Sequence, residues 1–283
     1  MPLDSTSAAQ AILRDTVDGY FEMVSGFDKL LQTGGDSTIV FDTFLAGEVM
    51  PWPEKEWRKA EKCMRSALQT IAKKYHGWST PPVGLILSRG RQYGEHTYYT
   101  REANIVIPLA DLRSGTLNEV TTVLQHELFH IYSRYHQNQR PDWYSRLGFQ
   151  TDTSIQIPQT LLDQRLYNPD GLSIYETIQL DSLEVLPFLY ADCSAGNYMS
   201  CFAFDLFQVE RDSSGVHLVT NKNGGSTLGP EWMQKFRVHM GDFTDYLIHP
   251  EEILAEYFVL SLAAKPEDLP ETARAFLEGW EID

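Results

Sequence analysis

Residues 116–136 read TLNEVTTVLQHELFHIYSRYH, and this stretch decides the fold. Thr116 and Glu119 have the spacing of a capping box, in which each side chain bonds the backbone N–H of the other residue. Apolar residues then recur at intervals of three and four, which is typical of a helix with a buried face. The sequence therefore predicts a helix from this cap to about residue 137, with the sequence HELFH of residues 126–130 in its middle.

Two histidines and a glutamate in this helix form the pattern H-E-x-x-H. His126 and His130 are four residues apart, so their side chains lie on one helix face. Two imidazoles in this arrangement can bind one Zn²⁺ ion, and Glu127 is placed to act as the general base for a water. The alternative is a pair of hydrogen-bonded core histidines. We predict zinc, because histidines in an apolar setting need a partner or a ligand.

A catalytic zinc site usually has three protein ligands, so a third ligand must come from elsewhere in the chain. Pro250 predicts the start of a strongly apolar helix, and Glu252 and Glu256 share one face of it. Two carboxylates on such a helix are costly unless a cation or a donor receives them. We therefore expect a carboxylate ligand from this helix. The alternative is a solvated acidic face near the helix N-terminus.

His136 is a competing candidate for the third ligand. His126, His130 and His136 have the spacing H-E-x-x-H-x-x-G-x-x-H of the metzincins, in which the glycine breaks the helix. Ser133 stands at the glycine position here. In an unbroken helix His136 lies about 15 Å along the axis from His126. We therefore favour the glutamate helix and expect His136 to be a polar residue of the last helical turn.

The combination of H-E-x-x-H with a glutamate on a later helix resembles the gluzincin zinc peptidases, of which thermolysin is a familiar case. HELFH, LYNPDG (166–171) and IHPEEILAE (248–256) together also resemble a group of bacterial zinc metallopeptidases. The resemblance implies that Glu252 is the third zinc ligand. It also implies that Glu256 supports a zinc-bound histidine, with direct binding of the metal by Glu256 as the alternative.

Two further features of gluzincins can be carried over to this chain. Such sites use a tyrosine or a histidine to stabilise the oxyanion, and Tyr246 and His249 are the candidates here. Gluzincins also have an edge strand that pairs with an extended peptide, and residues 103–107, ANIVI, are expected to form it. The candidates for lining the groove ahead of this strand are Tyr93, His96, Tyr98 and Tyr99, with a structural role as the alternative.

The remaining sequence predicts an α+β fold. The resemblance to gluzincins implies that it is zincin-like, with a small mixed sheet, an active-site helix, additional helices and an inserted antiparallel β-meander. A helical N-terminal region (1–80) should pack on a metallopeptidase domain (81–283), and the two should form one compact unit. Pro187 predicts that its strand lies at a sheet edge. Further predicted elements are helices over 7–32, 54–75 and 266–283, a helix from Pro230, a strand over 83–88 and the meander over 183–220.

Composition limits the partners and the location. The 283 residues include 39 acidic and 23 basic ones, a net charge of −16, which disfavours nucleic acid and anionic membranes as partners. No apolar run of 18 residues predicts a transmembrane helix. The three cysteines form no CxxC pair, and residues 1–20 lack the features of a secretory signal. We therefore expect a reduced, cytoplasmic chain, with a Cys193–Cys201 bridge left open. No pattern indicates the oligomeric state.

Together these patterns favour a zinc-dependent hydrolase, most simply a peptidase that cleaves a peptide or protein substrate. In that function Glu127 moves the proton. Two alternatives stay open at this point. One is a zinc-binding interaction protein without turnover, and the other is a zinc hydrolase that acts on a non-peptide amide. The presence of Glu127 argues against the interaction protein, because a purely structural zinc site needs no base.

Overall fold

The computed structural model describes residues 3–193, 196–264, 267, 269–278 and 280. These residues form helices and strands in a mixed order, so the α+β class is confirmed. The chain divides into two compact units. Unit 1 comprises residues 3–137 and 196–201, and the remaining described residues form unit 2. The division does not follow the expected boundary near residue 80, because the chain on both sides of that point belongs to unit 1.

Unit 1 is built around a four-stranded mixed sheet. Its strands are β1 (Val49–Met50), β2 (Gly84–Ser88), β3 (Tyr99–Arg101) and β4 (Asn104–Pro108), in the order β1-β2-β4-β3. The β2–β4 pair is parallel and the other two pairs are antiparallel. The helices are α1 (Ser5–Ile12), α2 (Tyr20–Met23), α3 (Gly26–Gln32), α4 (Phe41–Glu48), α5 (Glu54–Lys74), α6 (Leu109–Ser114), α7 (Leu117–Tyr135) and α10 (Tyr198–Cys201).

The N-terminal segment 7–32 is not the single helix that its apolar spacing predicts. The Asp15 carboxylate accepts hydrogen bonds from the backbone N–H of Tyr20 (2.9 Å) and of Phe21 (2.7 Å), which starts a new helix there. Gly19 precedes that helix with a φ of 73°, a conformation that ends regular helix. The segment therefore forms three short helices, because a side-chain cap competes with helix continuation.

Strand β4 contains the ANIVI sequence, but it is not the edge strand that we expected. It lies between β2 and β3, so β3 forms this edge of the sheet. The reversal from β3 to β4 takes place at residues 102–103, and Glu102 has a φ of 50°. The Glu102 carboxylate accepts hydrogen bonds from the backbone N–H and the hydroxyl of Thr16, both at 2.6 Å. These bonds stabilise the tight turn that connects β3 to β4 and so places β3 beside β4.

Unit 2 contains a six-stranded sheet in the order β5-β7-β8-β9-β10-β6. These strands are β5 (Phe149–Thr151), β6 (Ile155–Gln156), β7 (Glu176–Leu180), β8 (Leu183–Ala191), β9 (Phe202–Asp212) and β10 (Gly215–Leu218). The run from β8 to β10 is the antiparallel meander predicted over 183–220, and β7 adds a further antiparallel strand that the sequence did not predict. The helices are α8 (Arg140–Arg146), α9 (Gln159–Asp163), α11 (Pro230–His239), α12 (Pro250–Ala263) and α13 (Glu271–Glu278).

One face of this sheet carries a hydrophobic core. Its buried residues come from the meander strands, from β6 and from α9: Ile155, Leu161, Leu186, Phe188, Phe207, Val209 and Leu218. Alternate residues of β8 and β9 point to the same face, which is the period expected for strands with one buried side. Burial of these aliphatic and aromatic side chains supplies the main driving force for folding of the meander.

Pro187 does not mark an edge strand, because β8 lies between β7 and β9. On one side of β8, strand β7 pairs with it as far as Val185. On the same side, the segment 164–166 forms backbone hydrogen bonds with β8 beginning at Leu189. Pro187 lies between these two pairings, where no ladder bond requires its missing N–H. A proline is therefore compatible with an interior strand at this one position.

The cysteines differ from expectation. Cys193 and Cys201 are both disulfide-bonded, and Cys63 is a buried free thiol. The bridge that the sequence left open is therefore present, and the expected fully reduced chain is not observed. In the part of the chain that the structure describes, no helix combines the length and the apolar character needed to cross a bilayer. The cytoplasmic location stays a prediction.

Candidate metal centre

Helix α7 begins where the sequence predicts. The Thr116 hydroxyl accepts the backbone N–H of Glu119 at 3.2 Å, and the Glu119 carboxylate accepts the N–H of Thr116 at 2.7 Å. Both halves of the capping box are therefore formed. The helix continues for 19 residues and buries most of its second half. It thus provides a rigid support on which residues 126–130 have fixed positions.

The two histidines of the H-E-x-x-H pattern lie next to each other on α7. The ring centroids of His126 and His130 are 4.6 Å apart, with an angle of 78° between the ring planes. His126 is 8% exposed and His130 is 1% exposed. The helix around them is apolar, with Leu124, Leu128 and Phe129 buried. A metal ion is one partner that can satisfy the polar nitrogens of imidazoles in such surroundings.

Glu127, the expected general base, is 3% exposed. Its charge also acts on Tyr98, a buried residue directly before β3. Burial raises the pKa of the Tyr98 phenol well above its usual value, and the negative charges of Asp111 and Glu127 raise this pKa further. Tyr98 therefore stays neutral at physiological pH and lies within electrostatic reach of the Glu127 carboxylate. The Tyr98 side chain is buried in unit 1, which agrees with a structural role for this residue.

His136 has a structural role at the end of α7. The helix passes through the buried Ser133 without a break, so nothing turns His136 back toward the other two histidines. The His136 ring stacks on Tyr132, with centroids 4.1 Å apart, and its Nδ1–H donates to the Tyr132 carbonyl at 2.7 Å. These contacts support the interpretation of His136 as a residue of the helix end rather than as a third ligand.

Glu252 is positioned by the first turn of α12. This helix begins at Pro250, as the sequence predicts, and Glu252 is only 2% exposed. The Asn168 amide donates a hydrogen bond to Glu252 Oε1 at 2.6 Å. A solvated acidic face therefore does not describe this carboxylate. Glu256, one turn later, is half-buried.

The neighbouring Glu251 is fully buried and belongs to a different network. The hydroxyl of Tyr144 donates to Glu251 Oε2 at 2.8 Å, and Arg140 forms an ion pair with Oε1 at 3.4 Å. A guanidinium and a phenol thus compensate the charge of this carboxylate, as a buried acid requires. Tyr144 and Arg140 thus contact Glu251, and Asn168 donates to Glu252.

His249 is the N-cap of α12. Its Nδ1 accepts the backbone N–H of Glu251 at 3.0 Å, and its Nε2–H donates to the Ser173 carbonyl at 3.1 Å. Burial lowers the pKa of this imidazole, although the charges of Glu176, Glu251 and Glu252 act in the opposite direction. A neutral ring with both nitrogens bonded acts as a cap in this structure.

Tyr246 is the other candidate for stabilising the oxyanion. It precedes α12 in a non-helical segment and is 42% exposed. The roles that the sequence assigns to Tyr246 and His249 stay predictions.

The candidate metal ligands are buried in their own units: unit 1 supplies His126 and His130, and unit 2 supplies Glu252. Two imidazoles and one carboxylate are the donor set of many catalytic zinc sites, so these residues fit the metal that the sequence predicts. Sequence reasoning missed Asn168, because a turn of the type NPDG indicates only a chain reversal.

Comparison with models of protein families, with curated proteins and with solved structures gives no match to this chain. The likeness to gluzincins therefore depends on the residues quoted above and on no relative.

Proposed function

We propose that this chain is a zinc-dependent hydrolase, most simply a peptidase with a zincin-like fold. The observation that carries the proposal is the H-E-x-x-H helix. Its two imidazoles are buried side by side, 4.6 Å apart, and the acid between them in sequence is buried as well. The buried carboxylate of Glu252 in the first turn of α12 supplies the remaining donor type of such a site, which supports the same proposal.

In the proposed site His126, His130 and Glu252 would hold the zinc ion. A zinc ion supplies a Lewis acid that polarises a carbonyl group and makes water easier to deprotonate. Glu127 would accept a proton from the attacking water and later donate it to the leaving nitrogen. The water thus adds across the C–N bond, yielding a carboxylate and an amine.

The test combines metal analysis with hydrolysis assays on wild type and Glu127→Gln. We expect about one zinc per chain and chelator-sensitive cleavage within a broad peptide library. Glu127→Gln should keep the zinc and lose activity by a factor on the order of 10² or more. Glu61→Gln is the control, because it removes one carboxylate from the surface of α5. Its zinc content and activity should equal those of the wild type.

Each other outcome has a defined meaning. Absence of zinc after metal-supplemented expression overturns the proposal. Zinc without hydrolysis of any peptide or amide identifies a zinc-binding interaction protein. Cleavage of non-peptide amides alone identifies an amidohydrolase. Full activity in Glu127→Gln shows that Glu127 is not the general base.

A further inference from the structure

We infer that Asn168 is a positioning residue that fixes the orientation of the Glu252 carboxylate for metal binding. This inference rests on the proposed zinc function and names a residue that the H-E-x-x-H pattern does not contain. Asn168 belongs to the turn of residues 168–171, hereafter the NPDG turn. This turn and helix α12 both belong to unit 2.

The orientation of the Asn168 side chain is fixed by its own hydrogen bonds. Its Oδ1 accepts the backbone N–H of Asp170 at 3.1 Å, so this atom is the oxygen of the amide. The Nδ2 group therefore faces Glu252 and donates to Oε1 at 2.6 Å. Asn168 is 7% exposed, so solvent hardly competes for this bond. A short bond to an ionised acceptor is stronger than one between neutral groups.

The NPDG turn is itself held against the start of α12. A Cβ atom added at Gly171 would lie 2.3 Å from His249 Nδ1 and 3.0 Å from the Glu251 Cβ, so only glycine fits there. The Arg140 guanidinium lies 3.4 Å from both the Asp170 carbonyl oxygen and Glu251 Oε1, and so connects the turn to the helix. The donor of Asn168 thus has a fixed position relative to Glu252.

This arrangement has a clear consequence for metal binding. A neutral amide restrains the rotation of the Glu252 carboxylate without cancelling its charge, whereas an arginine or lysine would compete with the cation. The orientation of the second carboxylate oxygen is then set before the metal binds. Hydrogen-bonding partners of metal ligands raise affinity in this way, and their loss typically costs 10–100-fold.

The experiment measures Zn²⁺ affinity by competition with a chromophoric chelator, on the full chain. Asn168→Ala should weaken zinc binding by about 10–100-fold. Asn168→Asp keeps the acceptor for the Asp170 N–H, and so preserves the turn, but it replaces the donor to Glu252 with an oxygen. It should weaken binding at least as much. The matched control is Tyr144→Phe, which removes the hydrogen bond to the adjacent Glu251 and should leave zinc affinity unchanged. Thermal unfolding of the metal-free proteins verifies that each variant folds.

A double-mutant cycle tests whether Asn168 acts through Glu252. If it does, Asn168→Ala should not weaken the residual zinc binding of Glu252→Ala any further. The visible spectrum of the Co²⁺-substituted protein should also change in Asn168→Asp and stay the same in Tyr144→Phe, because this spectrum reports ligand geometry.

Four outcomes overturn the inference. If wild type binds zinc and both Asn168 variants bind it equally well, Asn168 has no positioning role and the proposed function stands. If Tyr144→Phe loses as much affinity as Asn168→Ala, the effect is a general loosening of α12. If Asn168→Ala still weakens binding in the Glu252→Ala background, Asn168 acts through another group. If wild type binds no zinc, the inference and the proposed function are both overturned.

Discussion

Gly171→Ala should destabilise unit 2 because the new methyl group has no space. Its Cβ would lie 2.3 Å from His249 Nδ1 and 2.4 Å from Cε1, whereas carbon atoms in contact prefer about 3.5–4.0 Å. The His249 ring cannot move away easily, because both of its nitrogens are hydrogen-bonded. The turn must therefore shift away from α12.

The magnitude follows from the interactions that this shift removes. Overpacking of a filled site costs about 1–3 kcal/mol. Weakening of the His249 cap adds about 1 kcal/mol. We therefore expect a loss of about 2–4 kcal/mol in the free energy of unfolding. For a chain of this size that corresponds to a decrease in Tm of about 4–8 °C.

The assay is thermal and urea-induced unfolding of the metal-free protein, followed by circular dichroism. Gly47→Ala in helix α4 is the control, because beyond its chain neighbours and the helix's own backbone no atom lies within 4 Å of its added Cβ. Alanine is the better helix former, so this control should be unchanged or more stable by about 0.5–1 kcal/mol. A Tm for Gly171→Ala within about 1 °C of wild type would refute the close packing of the turn on the helix.

Two further predictions concern the third ligand and the acid stability. In elemental analysis, Glu252→Ala should lose zinc and His136→Ala should keep it, because the His136 ring bonds the Tyr132 carbonyl at the end of α7. The opposite result would favour a metzincin site. Arg211 bonds Glu184 (2.7 and 3.0 Å) and Asp152 (2.7 Å). The hydrogen bond from Arg211 holds the pKa of Glu184 below its usual value. The pair therefore stabilises the folded chain above about pH 4.5. This contribution to the free energy of unfolding is lost as the pH falls through the lowered pKa. Arg211→Ala should therefore cost less than about 1 kcal/mol at pH 7, since the pair is half-exposed. It should also flatten the decline of stability below pH 4.5 in urea titrations, and an unchanged acid profile would contradict this assignment.

The parts of the site that sequence reasoning predicted are those set by local rules. The capping box between Thr116 and Glu119 fixes where α7 begins, and the helical repeat then places His126 and His130 on one face. Pro250 fixes the start of α12 in the same way. These features depend on residues within a few positions of each other, so spacing alone is sufficient to predict them.

The parts that it did not predict depend on contacts distant in sequence or on competing local caps. Asn168 and Glu252 are 84 residues apart, and no spacing rule connects them. The helix expected over residues 7–32 is interrupted because Asp15 bonds two backbone N–H groups, a preference that apolar periodicity does not record. Strand β3 is three residues long, which is too short for an alternating pattern to be recognised.

The short outer strands of both sheets affect how copies of this chain meet in solution. The edges of the two sheets are formed by β1, β3, β5 and β6, each only two or three residues long in the described chain. A long unpaired edge exposes backbone groups that can template the addition of strands from other molecules. Short edges offer at most one or two such bonds, and mutual repulsion at a net charge of −16 opposes close approach. The native chain should therefore resist edge-to-edge aggregation, which makes zinc titrations at high protein concentration practicable.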